Sequence, residues 1–347
     1  MGAFTSETVR QHAPACWFPL SHAEAIRDHA RLCLRALCDV DAEALARAAS
    51  AYGVAATYTD AHRLFDEVRP VLLGIATRTI GRAELILDAI DRGVRALHVE
   101  KPLCNSVREL AALRAVLERR DVFVSYGAVR RFFAIYRQAR QLADSGRYGP
   151  LREIRVNLGS GALFWTHPHS IDLILFAAGG RSVAGVQARL ADVFAGMSSC
   201  DIESDPRVVV ATVHFEDGVA GHITQALGAD LVLSCADAEI TVRANGTALE
   251  IYAARKAGAY PTLAAFDGEA AAPGPGGTLA PVSQLVACLD GDAAAIDQNS
   301  IVKRDMLAGQ QIAFSMLQSH MEGSRIVQPG AIDDAIFIRA RTGARSA

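Results

Sequence analysis

Three side chains of this 347-residue sequence have the chemical types needed to move a proton: Lys101, His169 and Asp172. Lys101 directly follows a short strand-like run that ends in Val99-Glu100, so we expect it at the carboxyl end of a strand, where open α/β sheets bind their ligands. His169 and Asp172 lie about one helical turn apart in a later helix-like segment. A lysine, a histidine and an aspartate in this order have the chemistry required to move a proton while a hydride moves.

A simpler interpretation gives these residues structural roles, in which Lys101 caps a strand end and His169 packs beneath it. Their shared order and context favour the functional interpretation. His167, His169 and Asp172 also have metal-ligand side chains, but Pro168 separates the two histidines and no further ligand is evident. We therefore predict that no metal is bound.

The composition is that of a globular protein without extended charged or apolar tracts. Apolar residues make up 51% and charged residues 21% of the sequence, and the formal net charge is −3. This balance gives no reason to expect nucleic acid or an anionic membrane as a partner. No apolar run is long enough for a membrane helix, and no signal peptide is recognisable. Seven cysteines without a Cys-x-x-Cys pair indicate free thiols and a cytoplasmic location.

The first part of the sequence alternates short strand-like runs with helix-like segments. Asp41 is suited to cap a helix that ends at Gly53, and the continuous apolar run 71–76 is typical of a parallel strand covered on both faces. Strands at this spacing, with helices between them, predict a Rossmann-like, doubly wound parallel sheet of the α/β class.

The pattern changes near residue 127, where longer alternating segments begin. Such runs of strands predict an α+β domain with a mostly antiparallel open sheet. We therefore expect a dinucleotide-binding domain over residues 1–126, an α+β substrate and oligomerisation domain over 127–325, and a C-terminal tail over 326–347.

Asp39 ends the strand-like run before the first predicted cap. In a dinucleotide fold, an acidic residue at this position accepts hydrogen bonds from the ribose hydroxyls of adenosine and repels a 2′-phosphate. The sequence therefore favours NAD over NADP. The alternative is that Asp39 is a solvated turn residue.

Several short motifs, in order, resemble those of the glucose–fructose oxidoreductase/inositol dehydrogenase (Gfo/Idh/MocA) family along most of the chain. The motifs are Cys38-Asp39-Val40-Asp41, Ile75-Ala76-Thr77-Arg78-Thr79, Glu100-Lys101-Pro102, Arg130-Arg131-Phe132, Tyr148-Gly149-Pro150 and His169-Ser170-Ile171-Asp172. The resemblance implies NAD(P)-dependent oxidation or reduction of a sugar, a polyol or a sugar derivative at a carbinol carbon. It also implies a homodimer or homotetramer built on the exposed face of the second sheet.

The resemblance assigns roles by position. Lys101 would hydrogen-bond the reacting hydroxyl, and His169 would take the proton. Asp172 would fix the tautomer of His169, or lie on the helix surface. Arg131, Trp165 and His167 would contact the substrate, with Arg131 alternatively a surface charge. The residues expected to bind the cofactor are Gly2, Asp39, Ala76, Thr77, Thr79, Glu100 and Lys101.

The sequence departs from the family pattern inside the site. Trp165 stands four residues before His169, where many members have an aspartate, and an indole can stack on a sugar ring instead. Arg78 replaces a usual proline and Arg82 a frequent histidine. Both arginines would add positive charge near the cofactor crevice and favour an anionic substrate, unless they are surface substitutions.

The largest departure is at the beginning of the sequence. The family opens with an apolar strand and Gly-x-Gly-x-x-Gly, whereas here Gly2 would stand in the place of the third glycine, with a helix directly after it. One explanation is a start placed about 10 residues too far downstream, which we favour because losing a central strand would remove roughly five buried side chains at about 1.5–3 kcal/mol each. The other is a real loss of the strand. In that case the protein is a catalytically inactive relative that binds a ligand or a partner.

Overall fold

The computed structural model describes residues 2–5, 7–193, 200–255, 262–265 and 276–339. These residues form two compact units, which are described separately. The first unit contains the described residues up to 104, residues 109–129 and residues 276–304. The second contains residues 105–108, the described residues from 130 to 265, and residues 305–339.

The first unit opens with the alternation of strands and helices that the sequence predicts. Its elements are α1 (Glu7–His12), α2 (His22–Asp28), β1 (Ala36–Cys38), α3 (Ala42–Tyr52), β2 (Ala56–Tyr58), α4 (Ala61–Val68), β3 (Leu72–Ile75), α5 (Arg82–Asp91), β4 (Ala96–Val99), α6 (Val107–Leu117) and β5 (Phe123–Tyr126). All strand pairs among β1–β5 are parallel. The predicted Rossmann-like parallel arrangement is confirmed.

The parallel strands of the first unit form two sheets instead of one. β1 pairs with β2, while β3, β4 and β5 form a separate three-stranded sheet. Within the described ranges, no strand joins β1 to β3, which is the arrangement expected if the first family strand is missing. The side chains of β4 and β5 are buried throughout, but Leu72, Leu73 and Gly74 of β3 are only partly buried.

Local capping sets the ends of the helix that follows β1. The Asp41 side chain accepts hydrogen bonds from the amides of Glu43 and Ala44, both at 3.0 Å, which satisfies donors that the first turn of α3 leaves free. Gly53 ends the helix at a φ of 66°, a conformation that costs glycine little. Both ends of α3 are as the sequence predicts.

The second unit contains a large, mostly antiparallel sheet, as predicted. Its elements are α7 (Ala134–Asp144), β6 (Leu151–Asn157), α8 (Pro168–Ala178), β7 (Val183–Ala191), β8 (Asp201–Ile202), β9 (Arg207–Phe215), β10 (Ala220–Thr224), β11 (Asp230–Cys235), β12 (Ala238–Arg243), β13 (Ala248–Arg255) and β14 (Thr262–Ala265). The eight-stranded order is β14-β13-β12-β11-β6-β10-β9-β7, and only the β6–β10 pair is parallel. Helices α7 and α8 pack on this sheet.

The chain then returns to the first unit. Helix α9 (Leu279–Leu289) and the start of α10 (Ala293–Met321) belong to it. Leu285 and Cys288 of α9 pack against Ala96 of β4 and Phe123 of β5. The boundaries therefore differ from the expected continuous domain 127–325, because the apolar surface of the three-stranded sheet is buried by a segment that comes much later in the sequence.

The end of the described chain is part of the second unit. The short strand β15 (Phe337–Ile338) pairs in parallel with β8, and the Asn105 side chain donates to the carbonyl of Ile338 at 2.8 Å. Residues 326–339 therefore do not form the separate tail that we expected, and 340–347 lie outside the described residues. None of the described helices is long and apolar enough to cross a membrane.

Candidate functional site

The residues expected to bind the cofactor follow the carboxyl ends of parallel strands in the first unit. Asp39 follows β1 and is exposed, and its carboxylate accepts a hydrogen bond from the nearby amide of Asp41 at 3.0 Å. Ala76 and Thr77 follow β3, and Thr77 is exposed, whereas Thr79 is buried. This edge of a parallel sheet is where open α/β folds bind ligands.

Gly2 lies beside the end of β3. A Cβ atom added to Gly2 would be 3.3 Å from the Cβ of Ala76, and the Gly2 carbonyl accepts the amide of Ala23 at 3.0 Å. The structure therefore brings two of the expected cofactor residues together. It differs from the expectation in one respect, because two helices, α1 and α2, separate Gly2 from β1.

The first turn of α2 is already satisfied by the protein's own atoms. Besides the bond to Gly2, Ser21 and Glu24 form a capping box in which each side chain accepts the other's backbone amide, at 3.0 and 3.2 Å. In a dinucleotide fold the corresponding amides face the pyrophosphate. Binding of a pyrophosphate by this turn would require those bonds to be exchanged.

A buried polar row crosses the three-stranded sheet below the site. Gly74, His98 and Ser125 are register partners on β3, β4 and β5, and Nδ1 of His98 lies 2.8 Å from Oγ of Ser125. The ring of His22 packs against that of His98 in a tilted arrangement, with centroids 4.4 Å apart and an interplanar angle of 57°. Gly74 lies close beneath this ring, since a Cβ added to it would be 3.1 Å from Nδ1 of His22 and would require the ring to shift.

Glu100 is a charged residue next to His22. Its Oε1 lies 3.3 Å from Nε2 of His22, and its Oε2 accepts the amide of Lys101 at 3.3 Å. Burial alone would raise the pKa of Glu100, but the surrounding positive charges and the hydrogen bond with His22 together hold that pKa well below its usual range. Burial lowers the pKa of His22 and of His98, so both imidazoles are neutral near pH 7.

His22 and His98 were not predicted from the sequence. The available signal was a histidine at the centre of the apolar run Leu97-His98-Val99, which places a polar group inside a covered strand. His22 gave no such signal, because its role depends on a packing contact with a distant strand.

Arg82 does not have the role expected of it. Its side chain is 3% exposed, and its guanidinium donates to three backbone carbonyls, those of Thr77, Glu100 and Pro102. It therefore presents no free charge to the crevice. Arg78, by contrast, is exposed.

In the second unit, Asp172 binds Arg131 and not His169. The Asp172 carboxylate accepts a hydrogen bond from Nε of Arg131 at 3.0 Å and lies 2.9 Å from Nη2 in an ion pair, and the same guanidinium donates to Asp305 at 3.0 Å. All three side chains are buried. This corrects two expectations: Asp172 does not set the tautomer of His169, and Arg131 is neither a substrate ligand nor a surface charge.

Burial shifts the pKa of the Asp172 carboxyl. It raises the pKa of this carboxyl to about 6, and the neighbouring Asp305 adds to the increase, while Arg131 opposes it. Asp305 was not foreseen because it lies on α10, 174 residues after Arg131.

The remaining expected substrate residues differ in accessibility. His167 is completely buried, its Nδ1 lies 3.0 Å from Oγ of Ser170, and burial lowers its pKa to about 4. It therefore has no surface with which to contact a substrate. Trp165 is 47% exposed and His169, the second residue of α8, is partly buried, so both remain candidates. Among the described residues, no group of histidine, cysteine and acidic side chains is arranged to hold a metal ion.

Lys101 is 9% exposed at the end of β4, and His169 lies on α8. The two residues belong to different units.

The comparisons with known proteins concern the first unit most directly. Residues 16–128 match the model of the "Oxidoreductase family, NAD-binding Rossmann fold" (Gfo/Idh/MocA). A 1-carboxy-3-chloro-3,4-dihydroxycyclohexa-1,5-diene dehydrogenase from Comamonas testosteroni is 25% identical over 213 residues, covering 56% of this chain and 51% of that protein. A D-apiose dehydrogenase from Paraburkholderia graminis is 30% identical over 122 residues, covering 34% and 32%. The chain thus matches about half and a third of the length of these relatives.

Solved structures extend the similarity of fold to both units. The WlbA dehydrogenase from Bordetella pertussis, in complex with NADH and UDP-GlcNAcA, has a TM-score of 0.66 and 18% identity and covers 87% of this chain and 93% of its own. At this identity the match concerns the fold. Residues 16–128 thus match the Gfo/Idh/MocA oxidoreductase family, and both units share the fold of these solved structures.

Proposed function

We propose that this protein is an NAD(P)-dependent oxidoreductase that transfers a hydride between nicotinamide and a carbinol carbon of a sugar, a polyol or a sugar derivative. The observation that carries the proposal is the placement of Asp39, Thr77 and Lys101 at the carboxyl ends of parallel strands. Of the two relatives named above, one is a dehydrogenase of the sugar D-apiose and the other a dehydrogenase of a cyclic dihydroxy compound, which supports the substrate class.

The residues present fit the cofactor at the strand ends. Asp39 is exposed where the adenosine ribose would bind, and its negative charge favours NAD over NADP. Gly2 and Gly127 let the backbone pack closely at these strand ends, since a Cβ on Gly2 would lie 3.3 Å from the Cβ of Ala76 and a Cβ on Gly127 would lie 2.7 Å from Oε2 of Glu100. NAD, when bound, supplies the nicotinamide C4 that exchanges the hydride.

The protein's own groups handle the proton. Lys101, as an ammonium, hydrogen-bonds the oxygen of the reacting carbinol and stabilises negative charge that develops there. His169 accepts the hydroxyl proton during oxidation and returns it during reduction, since an imidazole titrates near neutral pH. Trp165 offers an exposed aromatic face on which a sugar ring can stack.

The first experiment is a calorimetric titration of the protein with NAD and with NADP. We expect binding of NAD in the micromolar range, on the order of 1–100 µM, and weaker binding of NADP. In Asp39→Asn the ratio of the two affinities should narrow. Glu43→Gln, a change of equal charge at an exposed site on α3, should leave the ratio unchanged. An unaltered ratio in Asp39→Asn would remove Asp39 as the residue that selects the cofactor.

Turnover is then tested with a panel of aldoses, polyols and sugar acids, by following the ultraviolet absorbance of reduced nicotinamide. Formation of reduced cofactor with any member supports the proposal and identifies the substrate. The absence of turnover across the panel, in a protein that binds NAD, would contradict the proposed substrate class.

A second candidate function is a catalytically inactive relative that binds a ligand or a partner. The hydrogen bonds at the first turn of α2 favour this second candidate. The Gly2 carbonyl and the Ser21 hydroxyl already accept backbone amides with which a pyrophosphate at this turn would have to form hydrogen bonds. Failure of the folded protein to bind either NAD or NADP would favour this candidate over the enzyme.

A further inference from the structure

Arg82 is a buried arginine whose guanidinium donates to three backbone carbonyls within the described part of the chain. It is the first residue of α5, directly after Gly81, and its Nη1 donates to the carbonyl of Glu100 at 2.7 Å and to the carbonyl of Pro102. Its Nη2 donates to the carbonyl of Thr77. One guanidinium therefore joins the end of β3 to the turn that follows β4.

Lys101 lies between the two residues of that turn whose carbonyls Arg82 holds. The Glu100 carbonyl belongs to the peptide plane that precedes Lys101, and the Pro102 carbonyl belongs to the plane that follows Pro102. The planar guanidinium presents its donors in a fixed fork, so it restricts the orientation of both planes at once. A lysine stem is long and flexible, and the direction in which it leaves the backbone decides where its ammonium can reach.

The charges around this turn are balanced within the buried region. Burial lowers the pKa of Arg82, and the negative charge of Glu100 opposes that shift. Glu100 in turn accepts the amide of Lys101 at 3.3 Å and lies 3.3 Å from His22. Removing the Arg82 charge would leave Glu100 with less compensation and would leave three buried carbonyls without this donor.

We propose that Arg82 is a positioning residue for Lys101, acting through the backbone carbonyls of Glu100 and Pro102. The catalytic meaning of this inference rests on the proposed function, but the positioning itself does not. The position often holds a histidine in the family that the sequence resembles, and a histidine can donate to fewer carbonyls than the guanidinium fork.

The sequence makes a direct test practical, because the chain has only three lysines, Lys101, Lys256 and Lys303. Biosynthetic labelling with ¹³Cε-lysine gives each lysine its own NMR signal without altering the ammonium group, and Lys101→Arg assigns the signal of Lys101 by its loss. Lys303 serves as an internal reference in the same unit, since its Nζ donates to the carbonyls of Arg119 and Val122 at 2.6 and 2.8 Å.

The variants are Arg82→Gln and, as the milder change, Arg82→His, with Arg78→Gln as the matched control at an exposed arginine of the same loop. We expect the Lys101 signal to move in both Arg82 variants while the Lys303 signal stays in place, and neither to move in Arg78→Gln. An unmoved Lys101 signal in either folded Arg82 variant overturns the inference, and so does an equal movement of Lys303, which would indicate general loosening.

Kinetics add a second readout where the wild-type protein turns over. A misplaced Lys101 should lower kcat by about 10–100-fold with little change in KM or in NAD affinity. Unchanged kcat in Arg82→His and Arg82→Gln would overturn the inference. A moved Lys101 signal in a protein that never turns over would support the positioning and count against the proposed function, so the two failures are distinguishable.

Discussion

Lys101 is the residue on which the proposed chemistry depends most. We expect Lys101→Met, which keeps an unbranched stem but removes the ammonium, to lower kcat by about 100-fold or more, because charge that develops on the substrate oxygen would lose its partner. The affinity for NAD should stay close to that of the wild-type protein. Steady-state kinetics and calorimetry on the same preparations measure both. A variant that turns over at the wild-type rate would exclude Lys101 from the mechanism.

Asp172 gives a prediction about stability and pH. The pKa of Asp172 is raised from the ordinary value of 3.8 to about 6 in the folded protein. Between these two pH values the folded state therefore binds more protons than the unfolded chain. The contribution of Asp172 to the free energy of unfolding is therefore present in full below pH 3.8. It falls as the pH rises toward 6, by up to about 3 kcal/mol.

The measurement is urea unfolding of the wild-type protein and Asp172→Asn at several pH values from 3.8 to 7. An amide does not ionise, so the stability of the variant relative to the wild-type protein should rise over this window. Arg131 would keep its hydrogen bond to Asp305 in the variant. A stability difference that does not change with pH would show that Asp172 titrates at its ordinary pKa.

At the scale of elements, helix α10 protects the outer strand of the three-stranded sheet. The Asn299 side chain accepts the amide of Val124 at 3.2 Å and donates to the carbonyl of Val124 at 2.9 Å, as a neighbouring strand would. Asn299 is completely buried. Strand edges left unpaired promote aggregation, and this side chain fills part of the edge of β5.

We expect Asn299→Leu to lower the free energy of unfolding by about 2–4 kcal/mol, because it leaves one buried donor and one buried acceptor unsatisfied. Ser300→Ala, at the adjacent exposed position, should change it by less than about 0.5 kcal/mol. Chemical denaturation measures both variants. Equal stabilities would show that water replaces the Asn299 amide without cost.

Elements were predictable where local rules act. Asp41 and Gly53 bound α3 because a cap and a left-handed glycine are properties of adjacent residues. The apolar run 71–76 became β3 for the same reason. The return of α9 to the first unit was not predictable, since an apolar helix face does not specify which sheet it will cover.

At the scale of the whole molecule, one face of the large sheet is suited to self-association, and we expect a homodimer or a homotetramer. Ile154, Ile240 and Ile251 are buried in the sheet. Tyr252 follows Ile251 and therefore lies on the opposite face, where it is 38% exposed. Its register partner is Glu239. Arg155 approaches Glu239 at 3.5 Å on the same face. The interface proposed by family resemblance would use this surface.

Tyr252→Glu should shift the assembly toward monomers, because it places an added negative charge beside Glu239 within the contact. The control is Val40→Glu, at a 90% exposed position of the first unit, which should leave the assembly unchanged. Light scattering coupled to size-exclusion chromatography reports the mass of each. A wild-type protein that elutes as a monomer at all concentrations would contradict the prediction.

The sequence alone determined the alternation of strands and helices, and with it the placement of Asp39, Thr77 and Lys101 at strand ends, because apolar runs, caps and chain direction are local. Only the tertiary structure decided what the charged residues bind. Arg131 meets Asp172 and Asp305 across 41 and 174 residues, and Arg82 meets the carbonyls that flank Lys101. These contacts depend on packing: a buried charge is unfavourable unless it is paired or hydrogen-bonded, and the partners here are distant in the sequence.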